Sequence, residues 1–246
     1  MQRRSGGGLT TSANYTVSRC EGLVNQGQGP LNVATGYQKP VSLVNTPSDA
    51  EAQKVFDEEK GNCESWRKHI LNLTASIESP RLNNTAARVL ASGWRLSGVF
   101  RASSGSPLTI TTGADRALSG IQATAQRANQ VLDNPYGAKT VNSWLNPAAF
   151  AQPALGTYGN SGRNAYFGMG SRVVDLSLVR QFGLSNSHRI EARVEAFNAF
   201  NWFRPLAWTN AATNQAPVTN LSSASFGRYL AADDPRIMQF ALKYQF

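Results

Sequence analysis

Histidine and cysteine are nearly missing from this chain, with two of each among 246 residues. Two thiols as widely spaced as Cys20 and Cys63 cannot make a structural zinc site without further ligands. His69 and His188 each fall near the end of a strand-like segment, at opposite ends of the topology set out below. A Ser-His-Asp triad or a metal constellation is therefore not expected. No Gly-x-Ser-x-Gly, His-Glu-x-x-His, Cys-x-x-Cys or P-loop pattern occurs. We expect no enzyme, no metal and no cofactor. Long apolar runs are missing too. No stretch of about 18 consecutive apolar residues exists, which argues against ordinary transmembrane helices. Transmembrane β-strands, whose hydropathy trace is far weaker, stay open. Acidic residues are scarce, 15 against 24 Lys and Arg, for a net charge of +9. The cations are spread along the chain rather than clustered. They read as lumen and loop charges, not as a nucleic-acid patch. Residues 1–8 carry charge but no apolar leader segment. An export signal is therefore expected upstream, in a longer protein of which these 246 residues are one part.

Alternation of apolar and polar residues is what the chain has in plenty. A strand points successive side chains to opposite faces, so a period of two marks one apolar and one polar side. Six segments show it: residues 8–18, 68–78, 93–103, 172–182, 188–200 and 236–246. The last is the clearest. Met238, Phe240, Leu242, Tyr244 and Phe246 share one face, against Gln239, Ala241, Lys243 and Gln245 on the other. Each segment has the 9–11 residues or so that a tilted strand needs to cross a bilayer. The polar faces carry Arg95, Arg101, Asp175, Arg189, Glu191, Arg193, Glu195 and Lys243. In a barrel these charges face a wet lumen. Arg189 and Arg193 interleave with Glu191 and Glu195, so that run reads as an ion ladder rather than a catalytic carboxylate dyad.

The connections alternate in length. Those at 19–67, 104–171 and 201–235 are long, while 79–92 and 183–187 are shorter. Outer-membrane barrels have long outside loops and short periplasmic turns. On that rule the strand 236–246 descends to a periplasmic Phe246, and 8–18 ascends from the place where an upstream strand would feed in. Trp94, Phe182, Tyr244 and Phe246 then gather at the periplasmic edge and read as interface aromatics or, as the minor alternative, ordinary core aromatics. Within the first long connection, Ser48 and Asp49 can cap a helix over 48–66. Its acidic run Asp57, Glu58 and Glu59 reads as a solvated helix face or, as a minor alternative, a cation site. Cys20 and Cys63 lie in polar, loop-like sequence. They suit a disulfide at the foot of this loop in an oxidising compartment, or two unrelated free thiols. Residues 103–113 can prolong the third strand above the membrane. Residues 156–164 are rich in turn formers, and Gly168-Met-Gly170 leads into a strand rather than a phosphate-binding helix. The sequon Asn72-Leu-Thr74 falls within a strand.

The segment Gly61-Asn-Cys-Glu-Ser-Trp-Arg-Lys-His-Ile-Leu-Asn-Leu-Thr74 resembles the strand after the cysteine loop of Oar-like TonB-dependent receptors. Four further matches follow in order: Gly93-Trp-Arg-Leu-Ser-Gly98, Ser104-Gly-Ser-Pro-Leu108, Trp144-Leu-Asn-Pro-Ala-Ala-Phe150 and Phe197-Asn-Ala-Phe-Asn201. The ending, Asp234-Pro-Arg-Ile-Met-Gln-Phe-Ala-Leu-Lys-Tyr-Gln-Phe246, is the closest. The resemblance implies an all-β, antiparallel transmembrane barrel segment of six up-and-down strands spanning 1–246. In such receptors a carboxypeptidase-regulatory-like sandwich and a plug accompany a barrel of about 22 strands, and TonB energises uptake through the plug. It also implies that Phe240, Leu242, Tyr244 and Phe246 are the signal read by the barrel-assembly machinery. The expected surroundings are outer-membrane lipid, in a Gram-negative bacterium. TonB would act only through the plug, and no ligand is specified. Six strands are too few to close a membrane barrel, so transport by this chain alone is not expected. The competing reading is a soluble or secreted β-sandwich that presents its loops to a glycan or protein. A barrel segment needs detergent and a sandwich does not.

Overall fold

A computed structural model describes residues 2–4, 8–22, 54, 57–63, 66–80, 82–84, 88, 90–120, 126–184, 188–205 and 217–246. Its main element is one antiparallel sheet of seven strands: β1 (Gln2–Arg4), β2 (Leu9–Val17), β3 (His69–Glu78), β4 (Trp94–Ser103), β5 (Ser171–Gly183), β6 (Arg189–Phe197) and β7 (Ile237–Gln245). They lie side by side in chain order, as an up-and-down meander, and the sheet is open at both edges. Six of the seven match the alternating segments to within a few residues. The seventh, β1, is a correction to the count of six. It pairs antiparallel with β2 from Gln2 opposite Ser12 to Arg4 opposite Thr10. It occupies the place expected for a strand feeding in, and only three residues of pairing left too short a pattern to read.

The register puts the two faces where the alternation asks. Leu73, Phe100 and Val174 are aligned across β3, β4 and β5, as are Leu178, Val194 and Phe240 across β5, β6 and β7. On the opposite face Ser76, Ser97, Ser177 and Glu195 align in the same way. Among the described residues no second layer covers the apolar face. Phe240 is 72% exposed and Leu242 77% exposed. A sandwich would bury that row under another sheet, so the sandwich reading is not the fold adopted.

The described parts of the long connections lie at one end of the sheet and fold into a cap. The cap holds the core: Ile110, Ala128, Leu145, Ala149, Phe150, Tyr166 and Phe226. The ring of Phe150 meets Tyr166 edge-on at 5.2 Å and Phe226 at 5.7 Å. Short ladders frame this core: Pro107–Leu108 with Tyr166–Phe167, Asn129–Gln130 with Phe150–Ala151, and Tyr136–Thr140 with Ser143–Leu145. The β4–β5 hairpin thus continues above the sheet, after a break at 104–106, as the sequence suggested. At that break Gly105 passes so near the Gly168 carbonyl that any Cβ would collide with it. Trp144 to Phe150 contain a 3-10 turn, Pro147–Ala149, whose start is capped by the Asn146 side chain accepting from the Ala148 N–H at 3.1 Å. The short connections lie at the other end. In the longer of these, described residues 88, 90 and 91 are helical, and the Leu90 carbonyl accepts from the Trp94 indole N–H at 3.0 Å.

The expected helix over 48–66 is corrected at its C-terminal side. Residues 54 and 57–59 are helical, but Gly61–Asn62 is already a strand, paired with Glu21–Gly22. Residues 48–53, 55–56 and 64–65 lie outside the described residues. Cys20 and Cys63 are disulfide-bonded and close this small hairpin, with the Cys63 N–H on the Cys20 carbonyl at 3.1 Å.

Candidate functional site

Two surfaces can do work here, the polar face of the sheet and the cap. The polar face holds every charge assigned to it from the sequence. Arg95 pairs with Glu78 at 2.8 Å, and Arg101 pairs with Asp175. Arg193 pairs with Glu191 at 2.7 Å and with Glu195 at 3.7 Å. Ser177 donates to Glu195 at 3.4 Å and Gln181 to Glu191 at 3.1 Å, so the carboxylates are held by neutral donors as well. The ladder is shorter than the sequence suggested. Among the described residues Arg189 makes no ion pair, because it is registered opposite Gly183 and Gln245 at the last rung. Lys243 is registered opposite Glu191. Glu78 was missed, although it shares its parity with Asn72, Thr74 and Ser76. This surface is polar and built largely of ion pairs, as the wall of an aqueous lumen is.

The other face is apolar between two aromatic rims. At the short-turn end Trp94, Phe182 and Tyr244 come together across β4 to β7, and Tyr244 lies 5.9 Å from the Phe246 ring. His188 stacks on Tyr244 with a 2.7 Å hydrogen bond. At the cap end the same pairing recurs: Tyr15 stacks on His69 at 2.8 Å from Nδ1. His69 and His188 therefore sit at opposite rims. Two arginines of β5 break the pattern on this face, Arg172, which lies over the Trp202 ring at 4.4 Å, and Arg180. At the short-turn end stands Arg180. Its guanidinium lies over the rings of Trp94, at 4.7 Å, and Phe182, at 4.4 Å. That is the snorkelling posture of a cation at a lipid headgroup boundary. Strands of nine or ten residues at about 3.3 Å each, tilted by about 40°, span roughly 25 Å, the height of the apolar band of an outer-membrane barrel.

The disulfide hairpin is locked to the cap by buried polar contacts. Glu59 and Arg127, both fully or nearly fully buried, form an ion pair at 2.7 Å, and Arg127 also donates to the Ser161 carbonyl at 2.7 Å. Arg163 donates to the Glu59 carbonyl at 2.9 Å and to the Gly22 carbonyl. Asn164 and Asn62 exchange side chain to carbonyl bonds at 2.7 and 2.8 Å. Glu59 is thus spent on Arg127. Among the described residues no group of three or more His, Cys, Asp or Glu is arranged to hold a metal ion. Elsewhere in the cap, Asp115 accepts from the Gln126 side chain and the backbone of Gly120 and Ser119, which hold its carboxyl below the usual range. Burial pushes the Tyr229 hydroxyl up to about 12.

A one-layer sheet, wet on one side and greasy on the other between aromatic rims, defines the wall of an outer-membrane β-barrel. The chain matches the outer membrane beta barrel domain family over residues 1–239, and it belongs to that family. It is a protein of the outer membrane. No curated protein and no solved structure shows detectable similarity to it.

Proposed function

We propose that this chain supplies part of the wall and the extracellular mouth of an Oar-like TonB-dependent receptor, and works in ligand uptake with a plug inside the barrel. The observation that carries this reading is the pairing of a charged lumenal face with a sheet too narrow to close. Seven strands open at both edges belong to a wider barrel, and wide barrels leave a lumen that is a channel or is filled by a plug. The ordered motifs from residue 61 onward support the finer assignment. They fall at structural joints: the cysteine hairpin, the start of β4, the crossing at Gly105, the capped turn at Asn146 and the turn after β6, where Asn198 and Asn201 adopt φ of 48° and 52°. On this reading the chain has no catalytic role. Its partners are outer-membrane lipid on the apolar face, the barrel-assembly machinery at the row Phe240, Leu242, Tyr244 and Phe246, and TonB through the plug alone.

The test is co-purification of the native, detergent-solubilised protein with the periplasmic domain of TonB. Saturable capture, lost on removal of the plug, is expected. A barrel that never engages TonB and lets small solutes through unenergised would instead be a passive pore.

A further inference from the structure

The rim of the lumenal face holds a cavity of about 280 Å³ that neither the ladder nor the cap core uses. Ser103 and Ser171, the cap-end residues of β4 and β5, form its floor, and Ser106, Arg67, Arg204 and Asp233 line its sides. It lies where the three long connections meet, above the Arg101–Asp175 pair. We propose that this cavity is a binding site for an oxyanion, a carboxylate or phosphate group carried by the ligand at the mouth of the lumen.

The donors are in excess and the acceptors are few. Arg204 pairs with Asp233 at 2.9 Å, which leaves Arg67 as the lining cation without a paired carboxylate among the described residues. Among the described residues Arg67 has only the Trp66 carbonyl, at 3.2 Å, as a hydrogen-bond acceptor, and no carboxylate. Burial alone lowers its pKa, the mark of a desolvated charge without a counter-charge. The Arg204 Nε is buried with no hydrogen-bond partner among the described residues. The hydroxyls of Ser103, Ser106 and Ser171 make no bond to other described residues, whereas Ser104 is occupied by the His69 N–H at 3.1 Å. The Tyr229 hydroxyl accepts from the Met169 N–H and keeps its own proton to donate. A guanidinium fork with hydroxyl donors around it suits a planar carboxylate or a phosphate. A lipid headgroup is excluded as the occupant, because the apolar rims lie on the other face of the sheet.

The site deepens the receptor reading by naming the chemistry of its ligand, but its test does not depend on TonB. Calorimetric titration of the detergent-solubilised native protein with inorganic phosphate, and separately with acetate, at constant ionic strength reads it directly. Saturable binding of at least one is expected, and which one binds fixes the class. Arg67→Gln should weaken it by about tenfold or more, the worth of a charge-assisted hydrogen bond. Ser106→Asp keeps both arginines and adds a like charge, so it should abolish binding and decides the matter should Arg67→Gln not fold. No saturation up to about 10 mM anion in the native protein, or variants that bind as the native protein does, would overturn the proposal. Binding without TonB capture would leave the anion site standing and sink the receptor reading alone.

Discussion

A single residue here is judged first by which face it occupies. Leu178 and Ser177 are neighbours in β5, yet one faces the apolar band and the other the lumen. Leu178→Arg puts a charge near the middle of that band and should cost about 2–4 kcal/mol, whereas Ser177→Arg on the lumenal face should cost little. Equilibrium refolding into phospholipid vesicles measures both, and equal costs would contradict the assignment of faces. Inside the cap the decisive residue is Arg127. Arg127→Gln leaves Glu59 buried beside a neutral partner and should destabilise the cap by about 3–5 kcal/mol, the cost of breaking a buried pair. Limited proteolysis of the extracellular side reports it. Asp115 gives the acid response. Its folded-state pKa is depressed, so its contribution is complete above its ordinary value of 3.8 and is lost as pH falls through the lowered one. Asp115→Asn should flatten that acid limb in a pH series of protease resistance and leave the neutral region unchanged.

Elements differ in how visible they are from sequence, and the disulfide hairpin shows both sides. Cys20 and Cys63 stood out because they are the sole thiols in polar sequence. Their bridge closes a segment with a separation of 43 residues. Loop-closure entropy makes such a bridge worth about 4 kcal/mol in the chain-entropy view. Cys20→Ser with Cys63→Ser should therefore loosen the hairpin from Arg163 and Asn164, seen as faster hydrogen exchange at 61–62 with the β3–β6 ladder unchanged. The wall strands were legible because a period of two persists over seven or more residues, as from Leu71 to Ile77 and from Ile190 to Ala196. The cap was not. Ile110, Ala128, Leu145, Phe150 and Phe226 come from segments of two to five residues or from turns, so no period forms before the tertiary contacts exist. The helix over 48–66 was drawn too long because Gly61 and Asn62 pair with Glu21 and Gly22 in the hairpin, a contact that no local pattern announces. At the site, the lumenal charges could be read from parity, but Arg189 could not be seen to fall off the ladder without the register. The rim cavity was invisible for a different reason. Arg67, Ser106, Arg204 and Asp233 lie on three separate connections.

For the whole molecule the telling quantity is the number of unpaired backbone groups. An open sheet leaves a row of N–H and C=O groups along β1 and another along β7, and each one unsatisfied in hydrocarbon costs several kcal/mol. Nine residues of β7 therefore cannot remain an edge in a bilayer. The apolar face compounds this, since an uncovered row such as Met238, Phe240 and Leu242 is equally untenable in water. Strands beyond those described, from the rest of a barrel or from another copy, must pair with β7 in the outer membrane. Hydrogen-exchange mass spectrometry of Ile237–Gln245 tests this in native membranes and with the 246-residue chain alone in detergent. Slow exchange along the whole strand is expected in membranes. In the isolated chain every second amide, those turned away from β6, should exchange fast, because only alternate groups of an edge strand reach its one neighbour. Fast exchange of those same amides in the membrane would mean that the edge stays open there, and a barrel wall could not be the right description of this sheet.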